Sequence, residues 1–128
     1  HNAASPLTGR GLIERCIALA GEHRAVQAYM PAWHTVFTLA DGAMDSVLDR
    51  SRLGYTCDPT VYRRELLQKA VAAAGKGGFR GESTLDLVRE LGCDVHCVES
   101  DWTNLKVTTP SDLHVAGMLL EAADREND

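Results

Sequence analysis

The sequence predicts an α/β fold that carries a protruding β-hairpin, and three observations support this prediction. Segments with helical spacing of apolar residues alternate with short strand-like runs, which is the pattern of an α/β sheet. The pair Asp41-Gly42 lies between two such runs and favours a tight hairpin turn. The 128 residues are 45% hydrophobic and 24% charged, which is typical of a soluble globular protein of one domain or part of one.

The first helix is predicted from Arg10 to about Glu22, because apolar residues recur there at three- and four-residue spacing. These residues are Leu12, Ile13, Cys16, Ile17 and Ala20. Thr8 precedes them at a position that suits an N-cap. After the helix, residues 25–30 predict a mostly buried strand that ends at Pro31.

A hairpin is predicted from residues 35–39 and 44–48, with Asp41-Gly42 as its turn. Its five-residue arms contain few apolar side chains, and a hairpin of this size is not stable alone in water. Another surface must therefore cover it, and a second copy of the chain is the simplest candidate.

A second helix is predicted after Pro59. Apolar residues from Tyr62 to Ala74 recur at helical spacing, and we expect Gly75 to end the helix. Residues 76–78, Lys-Gly-Gly, then predict a flexible loop.

The third helix is predicted to be short. Ser83 and Asp86 have the spacing of a capping box at its start, and Gly92 is placed to end it. Residues 95–98 and 105–107 are strand candidates.

The last helix has the clearest start signal in the sequence. Thr109 is placed as its N-cap, Pro110 at the first helical position and Asp112 at the third. Apolar residues continue at helical spacing to Leu120, and the acidic tail at 121–128 is expected to fray.

The charge pattern argues against nucleic acid or an anionic membrane as the main partner. The net charge is −5, and no Lys/Arg cluster is longer than Arg63-Arg64. No apolar run approaches the ~20 residues needed to cross a bilayer, and no signal-peptide pattern is present. We therefore expect a cytoplasmic protein. Because the chain starts with His1 rather than Met, we also expect that the natural start has been removed, with any targeting segment.

The four cysteines, Cys16, Cys57, Cys93 and Cys97, are too sparse for a disulfide scaffold. Cys93 and Cys97 share one face of a predicted strand, whereas His96 faces the other way. A zinc site would need convergent ligands and a second pair elsewhere. We therefore predict reduced, buried cysteines.

Four segments resemble the signatures of one enzyme family. Residues 104–113, N-L-K-V-T-T-P-S-D-L, resemble a closing signature of the form N-[IL]-K-[IV]-T-x-P-x-D-L. Residues 48–53, 63–67 and 1–6 resemble the motifs V-D-R-S-G-L, R-R-E-L-L and H-D-A-A-R-P. The four segments occur in family order with family-like spacing. The chain therefore resembles the 2-C-methyl-D-erythritol 4-phosphate cytidylyltransferases over nearly its whole length.

The resemblance implies a transfer of cytidylyl from CTP to a sugar-alcohol phosphate such as methylerythritol phosphate, with release of pyrophosphate, in isoprenoid precursor synthesis. It also implies Mg²⁺ as cofactor and a homodimer in which a β-arm, here about residues 31–58, reaches over the partner's active site. The implied fold is part of a three-layer α/β/α, Rossmann-like nucleotidyltransferase domain. Residues 1–128 would form the C-terminal, substrate-side and dimerisation portion of that domain.

The resemblance implies three residues that bind the phosphate of the acceptor, namely Thr35, Arg50 and Lys106. A guanidinium and an ammonium group can clamp a phosphate, and a hydroxyl adds a hydrogen bond. Each residue also has a plain structural interpretation. Arg50 is then a solvated surface arginine, Lys106 an exposed lysine on a short edge strand, and Thr35 a good β-former. Only their placement inside matched motifs favours the phosphate site.

Several active-site positions depart from the family pattern. The Gly-rich loop that binds CTP has no counterpart, since residues 75–78 follow a helix and lack the strand–loop–helix context of a phosphate loop. Asn2 occupies the position of a metal-binding Asp and brings no negative charge, so we expect weak Mg²⁺ binding. Ser5 replaces an Arg, and Asp58 replaces a Thr on the phosphate side.

Three interpretations remain open. The chain is the C-terminal portion of a working cytidylyltransferase with an altered acceptor, a degenerate dimerisation or regulatory module without catalysis, or a binding domain for another phosphorylated ligand. An intact upstream Gly-rich loop would favour the working enzyme. Absence of metal-dependent CTP binding would favour the degenerate module, and anion binding without turnover would favour the binding domain. In each case we expect the isolated chain to be inactive and to be stable only as a dimer or higher oligomer, because half of a doubly wound sheet exposes an apolar edge and face.

Overall fold

The structure, a computed structural model, describes residues 1–77 and 83–126. Its helices are α1 (Arg10–Glu22), α2 (Arg64–Gly77), α3 (Thr84–Glu90) and α4 (Pro110–Glu126). Its strands are β1 (Ala25–Pro31), β2 (Val36–Ala40), β3 (Ala43–Leu48), β4 (Gly54–Tyr62) and β5 (His96–Glu99). The predicted α/β class is confirmed. None of the helices in the described ranges is long and apolar enough to cross a membrane.

β1 is the central strand of a three-stranded mixed sheet with the order β4-β1-β5. It pairs antiparallel with β4, beginning with Ala25 opposite Tyr62, and parallel with β5. The first four residues of β1 are buried, because strands flank it on both sides and helices cover its faces. The antiparallel register shifts between Gln27 and Ala28.

The sequence did not predict β4, because Asp58 and Pro59 are both disfavoured in strands. The structure accommodates this pair, which is joined by a cis peptide bond, next to the register shift of β1. There the side chain of Gln27 donates from Nε2 to the carbonyl of Cys57 at 2.5 Å. Tyr62, which its spacing places in the following helix, ends β4 instead.

Helices cover both faces of β1, since successive side chains of a strand point to opposite faces. The cluster between α1 and the sheet contains Leu12, Cys16, Val26 and Ala28. The cluster on the opposite face, formed with α2 and α3, contains Ala25, Leu66, Ala70 and Val88. Burying a side chain of the size of Val26 or Leu66 contributes about 2 kcal/mol, so these two clusters hold three layers together.

The predicted hairpin is confirmed as a separate two-stranded sheet of β2 and β3. Asp41 and Gly42 have positive φ angles of 50° and 81°, which are those of a type I′ turn. Large apolar side chains on the hairpin are exposed, including Leu39 at 68% and Val47 at 62%. The arm therefore presents apolar surface to solvent.

The N-cap of α1 differs from the prediction. Gly9, rather than Thr8, is the N-cap, and it provides no side-chain cap. The hydroxyl of Thr8 donates instead to the side chain of Asn104 at 2.9 Å. A tertiary contact thus replaces the local cap that the sequence suggested.

The end of α2 was predicted too early. The helix continues through Gly75 to Gly77, the last described residue before the gap, although a glycine inside a helix costs about 1 kcal/mol relative to alanine. Packing of the buried face of α2 outweighs this local preference. Of the predicted loop at 76–78, the first two residues are therefore helical, and residue 78 lies outside the described residues.

The predicted capping box of α3 is confirmed, with Ser83 and Asp86 bonded to each other's backbone amides. The helix is followed by Gly92 at a positive φ of 70°, as expected for a glycine after a helix end. Of the two strand candidates, β5 agrees with the first. Residues 105–107 form no strand, because within the described ranges their backbone pairs with a distant segment only through the bond from Val107 to the carbonyl of Ala4.

The predicted start of α4 is confirmed. Asp112 accepts a hydrogen bond from the amide of Thr109, and the Thr109 hydroxyl accepts one from the amide of Asp112. The helix continues to Glu126, so the fraying expected from residue 121 does not occur up to that point. Residues 127–128 lie outside the described residues.

Candidate functional site

The N-terminal residues and β4 meet at Asp58. One carboxylate oxygen of Asp58 accepts a hydrogen bond from the amide of Asn2 at 3.0 Å. The other accepts from the hydroxyl of Ser5 at 2.6 Å. Ser5 is buried, so Asp58 satisfies a hydroxyl that has been removed from water. This carboxylate therefore fixes the N-terminal residues against the sheet.

Asn104 connects the same corner to the closing signature. Its Nδ2 donates to the backbone carbonyl of Asp58 at 2.5 Å and to Ser100 Oγ at 3.2 Å. Its Oδ1 accepts from the hydroxyl of Thr8 at 2.9 Å. The residue is only 3% exposed, and these bonds use both sides of its amide group. Asn104 thereby anchors the loop that carries Lys106.

A polar cavity of about 290 Å³ lies beside this corner. Asp58 and Lys106 are the charged side chains among the described residues of its lining. The other lining residues are Asn2, Gln27, Thr56, Cys57, Thr60, Ser83, Thr84 and Leu85. The ammonium group of Lys106, among hydroxyl and amide groups, suits the phosphate of a phosphorylated ligand. The carboxylate of Asp58 repels anions, so it disfavours a phosphate in the part of the cavity next to Asp58.

Lys106 is one of the predicted phosphate-binding residues, and it lies in this cavity. Its side chain is exposed, and its backbone belongs to a loop rather than to the predicted strand. The plain interpretation of Lys106 is therefore confirmed in its exposure and wrong in placing the residue on a strand. Phosphate binding by Lys106 stays a prediction.

Thr35 and Arg50 lie at the base of the arm, on either side of the paired residues Val36 and Leu48. Both are exposed. Arg50 opens a single 3₁₀ turn, and its Nη1 donates to the carbonyl of Trp33 at 2.6 Å. The structure thus brings these two predicted residues to the same end of the arm, and it does not place them among the described residues that line the cavity with Lys106.

The donor set around Asn2 does not fit a resident divalent cation. The Oδ1 of Asn2 accepts a hydrogen bond from the amide of Ala4 at 2.9 Å, and an amide oxygen carries no net charge. Both oxygens of the neighbouring Asp58 carboxylate are engaged by Asn2 and Ser5. Proteins hold Mg²⁺ through one or two carboxylates together with substrate phosphates. Within residues 1–77 and 83–126, no three His, Cys, Asp or Glu side chains converge to hold a metal ion.

Cys57 contributes a thiol to the cavity lining. Burial raises the pKa of the Cys57 thiol, so the thiol stays protonated at neutral pH and is a poor nucleophile. All four cysteines are free, but only Cys16 is buried, and Cys97 is exposed. The prediction of four buried cysteines is therefore wrong, because β5 is an edge strand and leaves Cys97 in solvent.

Gln27 and Asn104 belong to the site but were not predicted from the sequence. Gln27 is 4% exposed, and its Oε1 accepts a hydrogen bond from the hydroxyl of Thr60 at 2.8 Å. The sequence did contain one signal for Gln27, which is the single amide side chain in the apolar run 25–30. A buried amide needs hydrogen-bond partners, so its presence in a buried strand indicates a polar contact. Two of the partners of Asn104, Thr8 and the carbonyl of Asp58, are distant in sequence and provided no local signal.

The chain matches the family profile described as IspD, 2-C-methyl-D-erythritol 4-phosphate cytidylyltransferase, over residues 1–122. The 2-C-methyl-D-erythritol 4-phosphate cytidylyltransferase of Bacillus licheniformis is 34% identical over 125 residues, which are 98% of this chain and 54% of the relative. The corresponding protein of Syntrophotalea carbinolica is 34% identical over 94% of this chain and 52% of the relative. The chain thus spans about half the length of the curated relatives it matches.

Solved structures agree with this match. The 2-C-methyl-D-erythritol 4-phosphate cytidylyltransferase of Thermus thermophilus superposes with a TM-score of 0.85 at 30% identity, over 93% of this chain and 59% of that chain. The 4-diphosphocytidyl-2C-methyl-D-erythritol synthase of Anaerococcus prevotii has the same TM-score, 0.85, at 19% identity, over 94% of this chain and 57% of that chain. At that identity the second likeness concerns the fold alone. The predicted nucleotidyltransferase fold is confirmed.

Proposed function

The chain belongs to the IspD family of 2-C-methyl-D-erythritol 4-phosphate cytidylyltransferases, and from this membership we propose that it forms the acceptor-phosphate side of a cytidylyltransferase of isoprenoid precursor synthesis. In the proposed reaction, an oxygen of the acceptor's phosphate forms a bond to the α-phosphorus of CTP. The bond from that phosphorus to the β-phosphate oxygen breaks, and pyrophosphate leaves. The observation that carries the proposal is the position of Lys106 in a polar cavity, on a loop anchored by Asn104.

The three residues predicted to bind phosphate have two different locations in the proposed mechanism, the cavity and the arm. Lys106 holds the acceptor's phosphate in its own cavity, because an ammonium group offsets the charge that two reacting phosphates bring together. Thr35 and Arg50 lie on the arm, and we propose that they act on the site of a second copy. The exposed apolar side chains of the arm support this proposed homodimer, since a bare hairpin is marginal in water.

The isolated chain is proposed to be inactive. No Gly-rich phosphate loop occurs in its sequence, and it spans about half the length of its relatives. The proposed enzyme therefore needs a complementary half that binds CTP. A cytoplasmic location also remains part of the proposal. The family uses a divalent cation, but the residues around Asn2 do not fit one, so the proposed mechanism assigns the cation no step.

A second candidate function is a degenerate module that dimerises or regulates without catalysis. The observation that favours it is the corner formed by Asn2, Ser5 and Asp58. Asn2 and Ser5 stand at positions where the family pattern has an acidic and a basic residue, and the carboxylate of Asp58 is engaged in hydrogen bonds. A binding domain for another phosphorylated ligand is the third possibility, and it would use Lys106 without turnover.

A fusion protein tests the proposed function. The part of the Bacillus licheniformis relative that this chain does not match would be joined ahead of His1, and CTP with Mg²⁺ would be titrated into the product. Turnover would then be followed as pyrophosphate release with methylerythritol phosphate. We expect turnover that Lys106→Met reduces at least tenfold, and a rise in turnover with Asn2→Asp if only the metal ligand has been lost. CTP binding without turnover in both the original fusion and Asn2→Asp would support the degenerate module instead.

A further inference from the structure

The cavity beside Asp58 contains two opposite charges that do not neutralise each other. Among the described residues of its lining, Asp58 is the anionic side chain and Lys106 the cationic one. No salt bridge joins these two side chains, since the ion pairs within residues 1–77 and 83–126 lie within α1 and within α4. The cavity therefore has a negative part and a positive part, with room for a ligand between them.

The carboxylate of Asp58 has only neutral hydrogen-bond donors among the described residues. The amide of Asn2 donates to one of its oxygens at 3.0 Å, and the hydroxyl of Ser5 donates to the other at 2.6 Å. Asp58 is half-buried, and a charge that is partly removed from water is stabilised by an opposite charge. Each carboxylate oxygen can accept a second hydrogen bond, so the group is still able to bind a cation.

The thiol of Cys57 lies in the same negative part of the cavity. Burial raises the pKa of the Cys57 thiol, and the negative charges of Asp58 and Asp101 raise it further. An anion is therefore disfavoured at this end of the cavity for the same electrostatic reason that a cation is favoured there.

Two buried amides hold the backbone that carries these charges. Gln27 donates from Nε2 to the carbonyl of Cys57 at 2.5 Å, and Asn104 donates from Nδ2 to the carbonyl of Asp58 at 2.5 Å. Asn104 precedes Lys106 by two residues, so it anchors the segments of both charged residues. The two segments are thus fixed before a ligand binds, which lowers the entropic cost of binding.

We propose that Asp58 selects an acceptor that carries an ammonium group in addition to its phosphate, namely a phosphorylated amino alcohol. This inference rests on the proposed function, because it places the phosphate of the acceptor at Lys106. The ammonium group lies at Asp58, where it offsets the charge that the neutral donors leave uncompensated. It takes no part in bond formation. The hydroxyl group of a sugar-alcohol phosphate can also donate to Asp58, so such an acceptor still binds, but it brings no positive charge to the carboxylate.

Two ligands that differ in one group test this selectivity. 2-Aminoethyl phosphate and 2-hydroxyethyl phosphate have chains of the same length, and only the first carries an ammonium group at neutral pH. Isothermal titration into the unsubstituted chain should show at least tenfold tighter binding of 2-aminoethyl phosphate. Equal affinities, tighter binding of 2-hydroxyethyl phosphate, or no binding of either compound would overturn the proposal. Because this comparison uses no substitution, it does not depend on the folding of a variant.

Substitutions then assign the preference to one carboxylate. Asp58→Asn removes the charge and keeps an oxygen acceptor, and we expect it to reduce the preference to less than twofold. Asp94→Asn, at an exposed carboxylate outside the described lining of this cavity, should retain the tenfold preference. A preference that survives Asp58→Asn would overturn the proposal. So would binding of Mg²⁺ alone that Asp58→Asn abolishes, because the carboxylate would then be a metal ligand.

Lys106→Met separates this inference from the proposed function. We expect it to weaken the binding of both compounds at least tenfold, because both carry the phosphate. If both compounds need Lys106 but bind the unsubstituted chain equally, the phosphate assignment stands and only the selectivity is wrong. If Lys106→Met leaves both affinities unchanged, the phosphate assignment is wrong, and the selectivity that depends on it is wrong as well.

Discussion

The backbone amide of Asn2 lies 3.0 Å from a carboxylate oxygen of Asp58, and this contact joins the first residues of the chain to the middle of β4. In the family pattern the acidic residue of this corner stands at the position of Asn2, and a Thr stands at the position of Asp58. In this chain the carboxylate of the corner belongs to Asp58 on β4, where it accepts hydrogen bonds from Asn2 and Ser5.

Replacement of Asp58 should destabilise the fold. Asp58→Ala leaves the amide of Asn2 and the buried hydroxyl of Ser5 without an acceptor, and an unsatisfied buried polar group costs about 1–3 kcal/mol. We expect the free energy of unfolding, measured by urea denaturation, to fall by about 2 kcal/mol. Asp94→Ala, at an exposed position, serves as the control and should change it little. Equal losses in the two variants would contradict the anchoring role of Asp58.

The start of α4 should be sensitive to acid. Hydrogen bonds from the Thr108 hydroxyl and from the amides of Thr108 and Thr109 lower the pKa of Asp112 from 3.8 to about 2. Because the folded pKa lies below the ordinary value, the ionised Asp112 stabilises the helix start above about pH 4. This contribution is lost as the pH falls through about 2.

An NMR titration of the side-chain carboxyl carbon checks this sign directly. The Asp112 signal should show its midpoint near 2, and Thr108→Val should raise that midpoint, because it removes the largest stabilising contact. A midpoint near the ordinary value of 3.8 would mean that the capping hydrogen bonds do not persist in solution.

The exposed arm should mediate self-association. Leu39 and Val47 are 68% and 62% exposed, and their cover by a second copy would contribute to dimer stability through the hydrophobic effect. We expect Leu39→Glu with Val47→Glu to weaken dimerisation at least tenfold in analytical ultracentrifugation. Ile17→Glu on α1, where Ile17 is 57% exposed, is the matched control. A compact monomer of the unsubstituted chain at micromolar concentration would show that the arm needs no partner.

Features encoded by neighbouring residues were predictable from the sequence. The hairpin follows from Asp41-Gly42, whose positive φ angles few other pairs adopt. The start of α3 follows from Ser83 and Asp86, since a capping box involves residues only three positions apart. Helical spacing predicted α1 for the same reason.

Features that depend on distant partners were not predictable. β4 contains Asp58 and Pro59, and these residues are tolerated only because β1 shifts its register beside them. Asn104 was known as part of a motif, but its bonds to Thr8, Ser100 and the carbonyl of Asp58 exist only in the folded chain. The cavity around Lys106 depends on these contacts, so the motif indicated a candidate residue without its surroundings.

Binding of methylerythritol phosphate to the chain is the measurement that tests the acceptor-phosphate assignment most directly. Isothermal titration would compare the unsubstituted chain with Lys106→Met and with Lys69→Met, whose lysine is exposed on α2, away from the cavity lining. We expect Lys106→Met to weaken binding at least tenfold, because it removes the ammonium group from the cavity, and Lys69→Met to change it less than twofold. Equal affinity in the unsubstituted chain and Lys106→Met, or no binding to the unsubstituted chain, would contradict the assignment.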